Sequence, residues 1–245
     1  MQVGLVGAGN MARAMARGWG MPIHAFDPVP GRAKALAEET GGKAFGSNAE
    51  LAAAVDLVVL CHKPAQLEAV AEEVATHARR VASILGATPL AKLRAAYGDV
   101  PVYRFLPSTP VEVGAGVVCH VPSGAPDEDE VAALFAQLGR LEVFDESTVD
   151  VAMGLMSNAP AYMALVAEAQ IDAGVRRGLP AERAAELVVQ TMEGTAKLIR
   201  AREMDTLSVR REVTSPGGST ARGLAALERG GLRTAFNDAL DAVLG

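Results

Sequence analysis

Gln2-Val3-Gly4-Leu5-Val6-Gly7-Ala8-Gly9-Asn10-Met11-Ala12 is the stretch that decides the fold. Its first half reads as a short apolar strand, and the glycines after it read as a turn into a helix. Gly7 permits the sharp turn, Gly9 lets a diphosphate approach the backbone, and Ala12 stands where a third glycine would let helix and strand pack closely. With a strand before it and a helix after it, the pattern is a dinucleotide-binding fingerprint. Asp27 ends the next strand, eighteen positions beyond Gly9. That is near the spacing at which a carboxylate hydrogen-bonds a ribose 2′-hydroxyl and repels a 2′-phosphate. Its other reading is a cap for a helix starting near Pro30. Arg32, close by, could restore phosphate binding.

Working outward, strand-like runs at Gln2–Val6, Ile23–Phe26, Leu57–Cys61, Val81–Leu85, Val100–Arg104, Val117–His120 and Leu141–Phe144 alternate with helical ones. That alternation predicts an α/β fold of the Rossmann type, with a doubly wound, mostly parallel sheet over residues 1–146. From Val149 the strand signals stop, and helical periods run through Val149–Arg177, Pro180–Glu203, Ser219–Arg229 and Leu232–Leu244. Residues 147–245 are therefore expected to form an all-α domain. Its small residues, among them Ala164, Ala167, Ala169 and Ala173, suit close helix packing against a second subunit.

A second anion-binding signal lies in this helical part. Val213-Thr214-Ser215-Pro216-Gly217-Gly218-Ser219-Thr220 opens a helix, and such a turn leaves several backbone N–H groups free where the helix dipole attracts a carboxylate. Taken alone, it also reads as an ordinary capped helix.

The two motifs together resemble the pyrroline-5-carboxylate reductase family, which pairs an N-terminal Gly-x-Gly-Asn-Met-Ala loop with a C-terminal Thr-Ser-Pro-Gly-Gly-x-Thr segment. His62-Lys63-Pro64, Arg104-Phe105-Leu106-Pro107-Ser108-Thr109-Pro110 and Pro160-Ala161-Tyr162 follow in the family's order, so the resemblance covers nearly the whole chain. It implies reduction of the cyclic imine Δ1-pyrroline-5-carboxylate to L-proline by NADH or NADPH, in a homodimer or an assembly of dimers. Gly7 to Ala12, Asp27, Asn48, the backbone of Cys61, His62, Lys63 and Pro64, and Gly86 would hold the cofactor. Asp27 favours NADH. Asn48 is equally an N-cap for the helix after it, and His62, standing where valine is usual, reads as a bystander. The resemblance assigns Gly217, Gly218, Ser219 and Thr220 to the substrate carboxylate, with Ser219 and Thr220 nearest the chemistry. Glu146 matches an acidic position as a substrate contact, with Glu203 and Asn158 as supports. The family's usual Ser-Gly-Ser-Gly-Pro-Ala-Tyr is here Met156-Ser157-Asn158-Ala159-Pro160-Ala161-Tyr162, which removes two glycines. That departure keeps two other readings open: a reductase of another imine or a β-hydroxyacid, and a non-catalytic NAD(P)-binding regulator. A hydroxyacid enzyme should offer a lysine early in the helical domain, whereas the first lysine there is Lys197.

Composition narrows the classes. A chain of 245 residues, 50% hydrophobic, can bury one large or two moderate cores. A net charge of −6 argues against nucleic acid as the main partner. Cys61 and Cys119 fit neither a disulfide framework nor a zinc spacing, so no metal is expected. The first strand starts at Gln2, and no apolar run approaches the ~20 residues that a bilayer span requires. A cytoplasmic protein, not a membrane one, is the expectation.

Overall fold

The computed structural model describes residues 1–245 and divides them into two compact units, Met1–Pro160 and Ala161–Gly245. The first unit therefore extends past the boundary expected at 146, because the helix after the last strand still buries Val149 and Ala152 against that unit's core.

The first unit runs β1 (Val3–Val6), α1 (Asn10–Trp19), β2 (Ile23–Phe26), α2 (Arg32–Thr40), α3 (Asn48–Ala54), β3 (Leu57–Leu60), α4 (Leu67–Val74), β4 (Val81–Ser83), α5 (Leu90–Tyr97), β5 (Val102–Pro107), β6 (Gly116–Val121), α6 (Glu128–Ala136), β7 (Gly139–Val143) and α7 (Val149–Met156). The seven strands lie in the order β2-β1-β3-β4-β5-β6-β7. Strands β1 to β5 are mutually parallel, β6 is antiparallel to β5, and β7 is parallel to β6. The reversal at β6 follows from its connection, a short turn around Thr109–Val113 that is too brief for a helical crossover. Every residue of β1 and β3 is buried, as in a strand covered on both faces.

Aromatic packing fixes α1, the helix that follows the glycine turn. Trp19 meets Phe135 edge-on at 5.5 Å, Phe135 stacks on Phe105 at 4.0 Å, and Phe105 stacks on His120 at 4.6 Å. Trp19 Nε1 donates to the Leu134 carbonyl at 3.0 Å, so the one polar atom of the indole is satisfied inside the core. Only 4% of the chain is aromatic, yet this cluster ties α1, β5, β6 and α6 together.

The second unit contains most of α8 (Ala159–Val175) together with α9 (Ala181–Ala201), α10 (Thr206–Glu212), α11 (Ser219–Arg229) and α12 (Leu232–Leu244). The single helix expected over Val149–Arg177 is instead two, broken at Ser157 and Asn158. Pro160 lies in the first turn of α8, where its missing N–H costs nothing and where it cannot continue a preceding helix. Helix α10 was not expected. Asp205 caps it, its Oδ1 accepting from the Ser208 N–H at 2.9 Å. Within this unit Ala184 and Val209 are the buried hydrophobic residues, while Leu165, Leu187, Val189 and Leu227 are more than half exposed. By length and composition Val149–Val175 could cross a bilayer, contrary to the expectation of no such run.

Candidate functional site

The turn after β1 is shaped by Gly7, whose φ of +102° lies outside the range of ordinary residues, and a Cβ there would stand 2.9 Å from the Cys61 carbonyl oxygen. Gly9 precedes α1 and no side chain caps that end. The first helical bond is Arg13 N–H to the Gly9 carbonyl at 3.0 Å, which leaves the amides of the first turn free. A Cβ built on Gly9 would meet nothing within 4 Å, so that face of the turn is open space.

This open space is a groove of about 700 Å³ lined by the whole Gly7–Ala12 turn, by Asp27, Arg13 and Arg32, and by the Cys61–Lys63 segment. Free amides at a helix N-terminus, an uncrowded Gly9 and two arginines suit a diphosphate. The residues present therefore fit a dinucleotide. Asp27 lies at the far end of β2. Its Oδ2 accepts the Ala8 N–H at 2.7 Å and its Oδ1 accepts the Val29 N–H at 2.8 Å. The carboxylate braces the turn and does not cap α2, which starts behind Gly31.

A second cavity, about 230 Å³, shares Met11, Cys61, His62 and Lys63 with the groove and continues along Ile84, Leu85, Gly86, Leu106, Pro107, Met153 and Ser157. Its walls are mainly apolar. Pro64 and Gly86 lie here, as expected of residues at the carboxyl ends of β3 and β4. Burial pushes the Cys61 thiol well above its ordinary value. Burial likewise holds His62 below its ordinary value, against the raising effect of the Lys63 carbonyl, whose oxygen is 2.9 Å from His62 Nδ1. A carbonyl only accepts, so Nδ1 carries a proton.

Two expected residues have other occupations. Asn48 is not the N-cap of α3. Ser47 is, its Oγ accepting from the Glu50 N–H at 3.1 Å, while Asn48 Nδ2 donates to Glu73 Oε2 at 3.0 Å and Asn48 stays outside the lining of both cavities. Glu146 pairs with Arg104, which is 1% exposed in the middle of β5, and also accepts the Leu90 N–H at 3.4 Å at the start of α5. Asp150 Oδ1 joins the same guanidinium at 3.3 Å. The structure thus gives Glu146 the task of neutralising a buried arginine, where the sequence suggested a substrate contact. Glu203 is exposed at the end of α9 with φ of +53°. Asn158 is half-buried in the break after α7.

The C-terminal motif forms the turn it was expected to form. Gly217 has φ of +69° and Gly218 precedes α11 with no side-chain cap. The Gly218 N–H donates to the Ser215 carbonyl at 3.0 Å, and a Cβ on Gly218 would lie 2.4 Å from Ser215 Oγ. The first helical bond is Arg222 N–H to the Gly218 carbonyl at 3.3 Å. The amides of Ser219 and Thr220 therefore stand at an uncapped helix start, with Thr220 half-buried.

Arg13 in the groove and the Arg104 pair escaped the sequence reading. An arginine inside the apolar run Val102–Pro107, with acids at 146 and 150, was the signal for the latter.

Fold and groove define a dinucleotide-binding α/β protein with a helical C-terminal unit. Comparison with known proteins makes this specific. Residues 146–244 match the family model described as pyrroline-5-carboxylate reductase dimerisation, and residues 2–85 match the one described as NADP oxidoreductase, coenzyme F420-dependent. The pyrroline-5-carboxylate reductase of Synechocystis sp. is 34% identical, over 99% of this chain and 95% of its own length. The pyrroline carboxylate reductase of Plasmodium falciparum, solved with NADP bound, superposes with a TM-score of 0.88 at 27% identity, covering 99% of this chain and 95% of that one. The 1-pyrroline-5-carboxylate reductase of Streptococcus pyogenes superposes with a TM-score of 0.90 at 28% identity, covering 99% and 96%. The chain belongs to the pyrroline-5-carboxylate reductase family. It is an NAD(P)-binding oxidoreductase and a homo-oligomer acting on a small molecule.

Proposed function

We propose that this chain reduces Δ1-pyrroline-5-carboxylate to L-proline with a reduced nicotinamide dinucleotide, the closing step of proline biosynthesis. One observation carries the reading. A single chain pairs a dinucleotide groove at the start of α1 with an uncapped anion-binding turn at the start of α11.

The protonated cyclic imine is already an electrophile, so the protein has little acid–base work to do and positioning dominates. The cofactor supplies the hydride. On the protein side, the Gly7–Ala12 turn and the amides at the start of α1 hold the diphosphate, and the Cys61–Pro64 segment with Gly86 lines the nicotinamide end. The N–H groups of Ser219 and Thr220 take the substrate carboxylate, where a helix N-terminus favours negative charge, while the Gly218 N–H, which the sequence also offered, is held by the Ser215 carbonyl and shapes the turn. The Thr220 hydroxyl holds the ring nitrogen and its proton as the imine becomes an amine.

Asp27 supports a preference for NADH. Two backbone amides already hold its carboxylate at the groove, where it meets a ribose hydroxyl better than a phosphate. Arg13 and Arg32 line the same groove and leave NADPH as a slower second cofactor. The sparse burial of the helical unit supports a dimer formed through it, and further association of dimers. Both cysteines are free thiols, which suits the reducing cytoplasm.

The test is oxidation of NADH and of NADPH by the purified protein with pyrroline-5-carboxylate, beside a six-membered imine and a no-substrate control. Rapid turnover of the five-membered ring with proline as product is expected. Turnover of the six-membered ring alone would move the substrate, and no turnover with either would leave a binding protein.

A further inference from the structure

We propose that the Ser157 hydroxyl anchors the carboxamide of the nicotinamide. The inference rests on the cofactor reading above and adds a residue to it. Ser157 stands where the family resemblance has glycine, so the side chain is this chain's own addition.

The second cavity has the character a nicotinamide ring requires. Ile84, Leu85, Leu106 and Met153 make its walls apolar, and it shares Met11 and the Cys61–Lys63 segment with the dinucleotide groove. A ring held only by such walls could rotate about its glycosidic bond, and either face could then present the hydride. Its carboxamide, one acceptor and one amino donor, is the handle by which a site fixes the face. Ser157 carries the one hydroxyl among the residues lining this cavity. The other polar side chains are less suited. The His62 Nδ1 proton is engaged with the Lys63 carbonyl and its Nε2 is buried, while Lys63 is exposed and also lines the larger groove.

The hydroxyl is also uncommitted. Ser157 Oγ lies 3.5 Å from the Pro107 carbonyl oxygen. That exceeds the roughly 2.5–3.0 Å of a well-formed O–H···O bond, so little is lost when the proton turns to a better acceptor. The backbone holds the residue firmly in place, because the Ser157 N–H donates to the Met153 carbonyl at 2.8 Å and ends α7. The carboxamide oxygen accepts from Ser157, and Pro107, which lines the same cavity, offers a carbonyl to the amino group. Both atoms of the handle are then met at one point on the wall.

The experiment compares NADH with ADP-ribose, which lacks the nicotinamide, by direct binding to wild type, S157A and S157G. Wild type binding both ligands upholds the cofactor reading independently of Ser157. Loss of one neutral hydrogen bond should weaken NADH by about three- to ten-fold and leave ADP-ribose unchanged, which also shows that the variant is folded. A second readout is the stereochemistry of hydride transfer from NADH deuterated on one face, which should scramble in the variants. Equal affinity for NADH in wild type and both variants, with stereochemistry intact, would overturn the proposal. Parallel weakening of NADH and ADP-ribose would do the same, since it would assign Ser157 a structural role.

Discussion

Replacing Glu146 separates two roles that the sequence could not. The Arg104 guanidinium is 1% exposed, and its acidic partners Glu146 and Asp150 are 39% and 51% exposed. Breaking a fully buried ion pair costs about 3–5 kcal/mol. Here the carboxylate side of the pair is partly hydrated and Asp150 remains at 3.3 Å, so solvent and the second acid take up part of the loss. For E146A the expected loss is about 2 kcal/mol, and for E146Q, which keeps an acceptor and loses only charge, about 1 kcal/mol. Trp19 is the only tryptophan and lies in the core of the same unit, so urea unfolding followed by its fluorescence reads the affected region directly. Chain concentration must be held constant, because an oligomer's apparent stability depends on it. The variants should unfold at lower urea in the order A before Q, with KM for the imine moving less than three-fold. An unchanged midpoint together with a ten-fold rise in KM would refute the structural assignment and return Glu146 to the substrate.

Asp27→Ser should raise the NADPH to NADH ratio of kcat/KM by about ten-fold, the scale of one charged hydrogen bond exchanged for relief of repulsion; a ratio that stays put removes Asp27 from the ribose. Thr220→Ala should lower kcat on the imine by about 10²-fold with NADH affinity, measured by binding, nearly unchanged, and full turnover would end its role at the ring nitrogen. Burial alone would raise Glu128, but hydrogen bonds from Ser123 N–H, Ser123 Oγ and Gly124 N–H, with His120, hold its carboxyl below the ordinary value. A depressed folded-state value means that its stabilisation is full above the ordinary carboxylate range and is lost as pH falls through the folded value. The Tm gap between wild type and E128Q should therefore be constant from pH 7 to 5 and close below about 4; a gap independent of pH would contradict this.

Most of the fold was legible because it depends on local patterns. The buried strands β1 and β3 read as apolar runs, and the glycine turn between β1 and α1 has few conformations open to it. Boundaries set by competition between neighbours were harder. Ser47-Asn48-Ala49-Glu50 carries a capping-box signature, and Ser47 took the cap that Asn48 was expected to fill because its hydroxyl sits three residues before the Glu50 amide. The break at Ser157–Asn158 was marked by Pro160 but masked by the apolar residues on either side. In the site, Asp27 and the Gly217–Gly218 turn could be placed because their backbone neighbours define them. The partner of Glu146 could not, since Arg104 reaches it across forty-two residues of chain.

The helical unit has so little interior of its own that a second copy packed on it would supply much of its burial. Synthesis delivers the nucleotide-binding half first, and that half has a complete core with which to settle while the remainder is still being made. In a lone chain the C-terminal helices keep leucines and valines facing water, and a second chain is what would cover them. Supply of chains thus governs how long a sticky, half-finished species persists. When expression is scarce, that interval lengthens, and chaperones or proteases rather than the sheet decide how much enzyme matures.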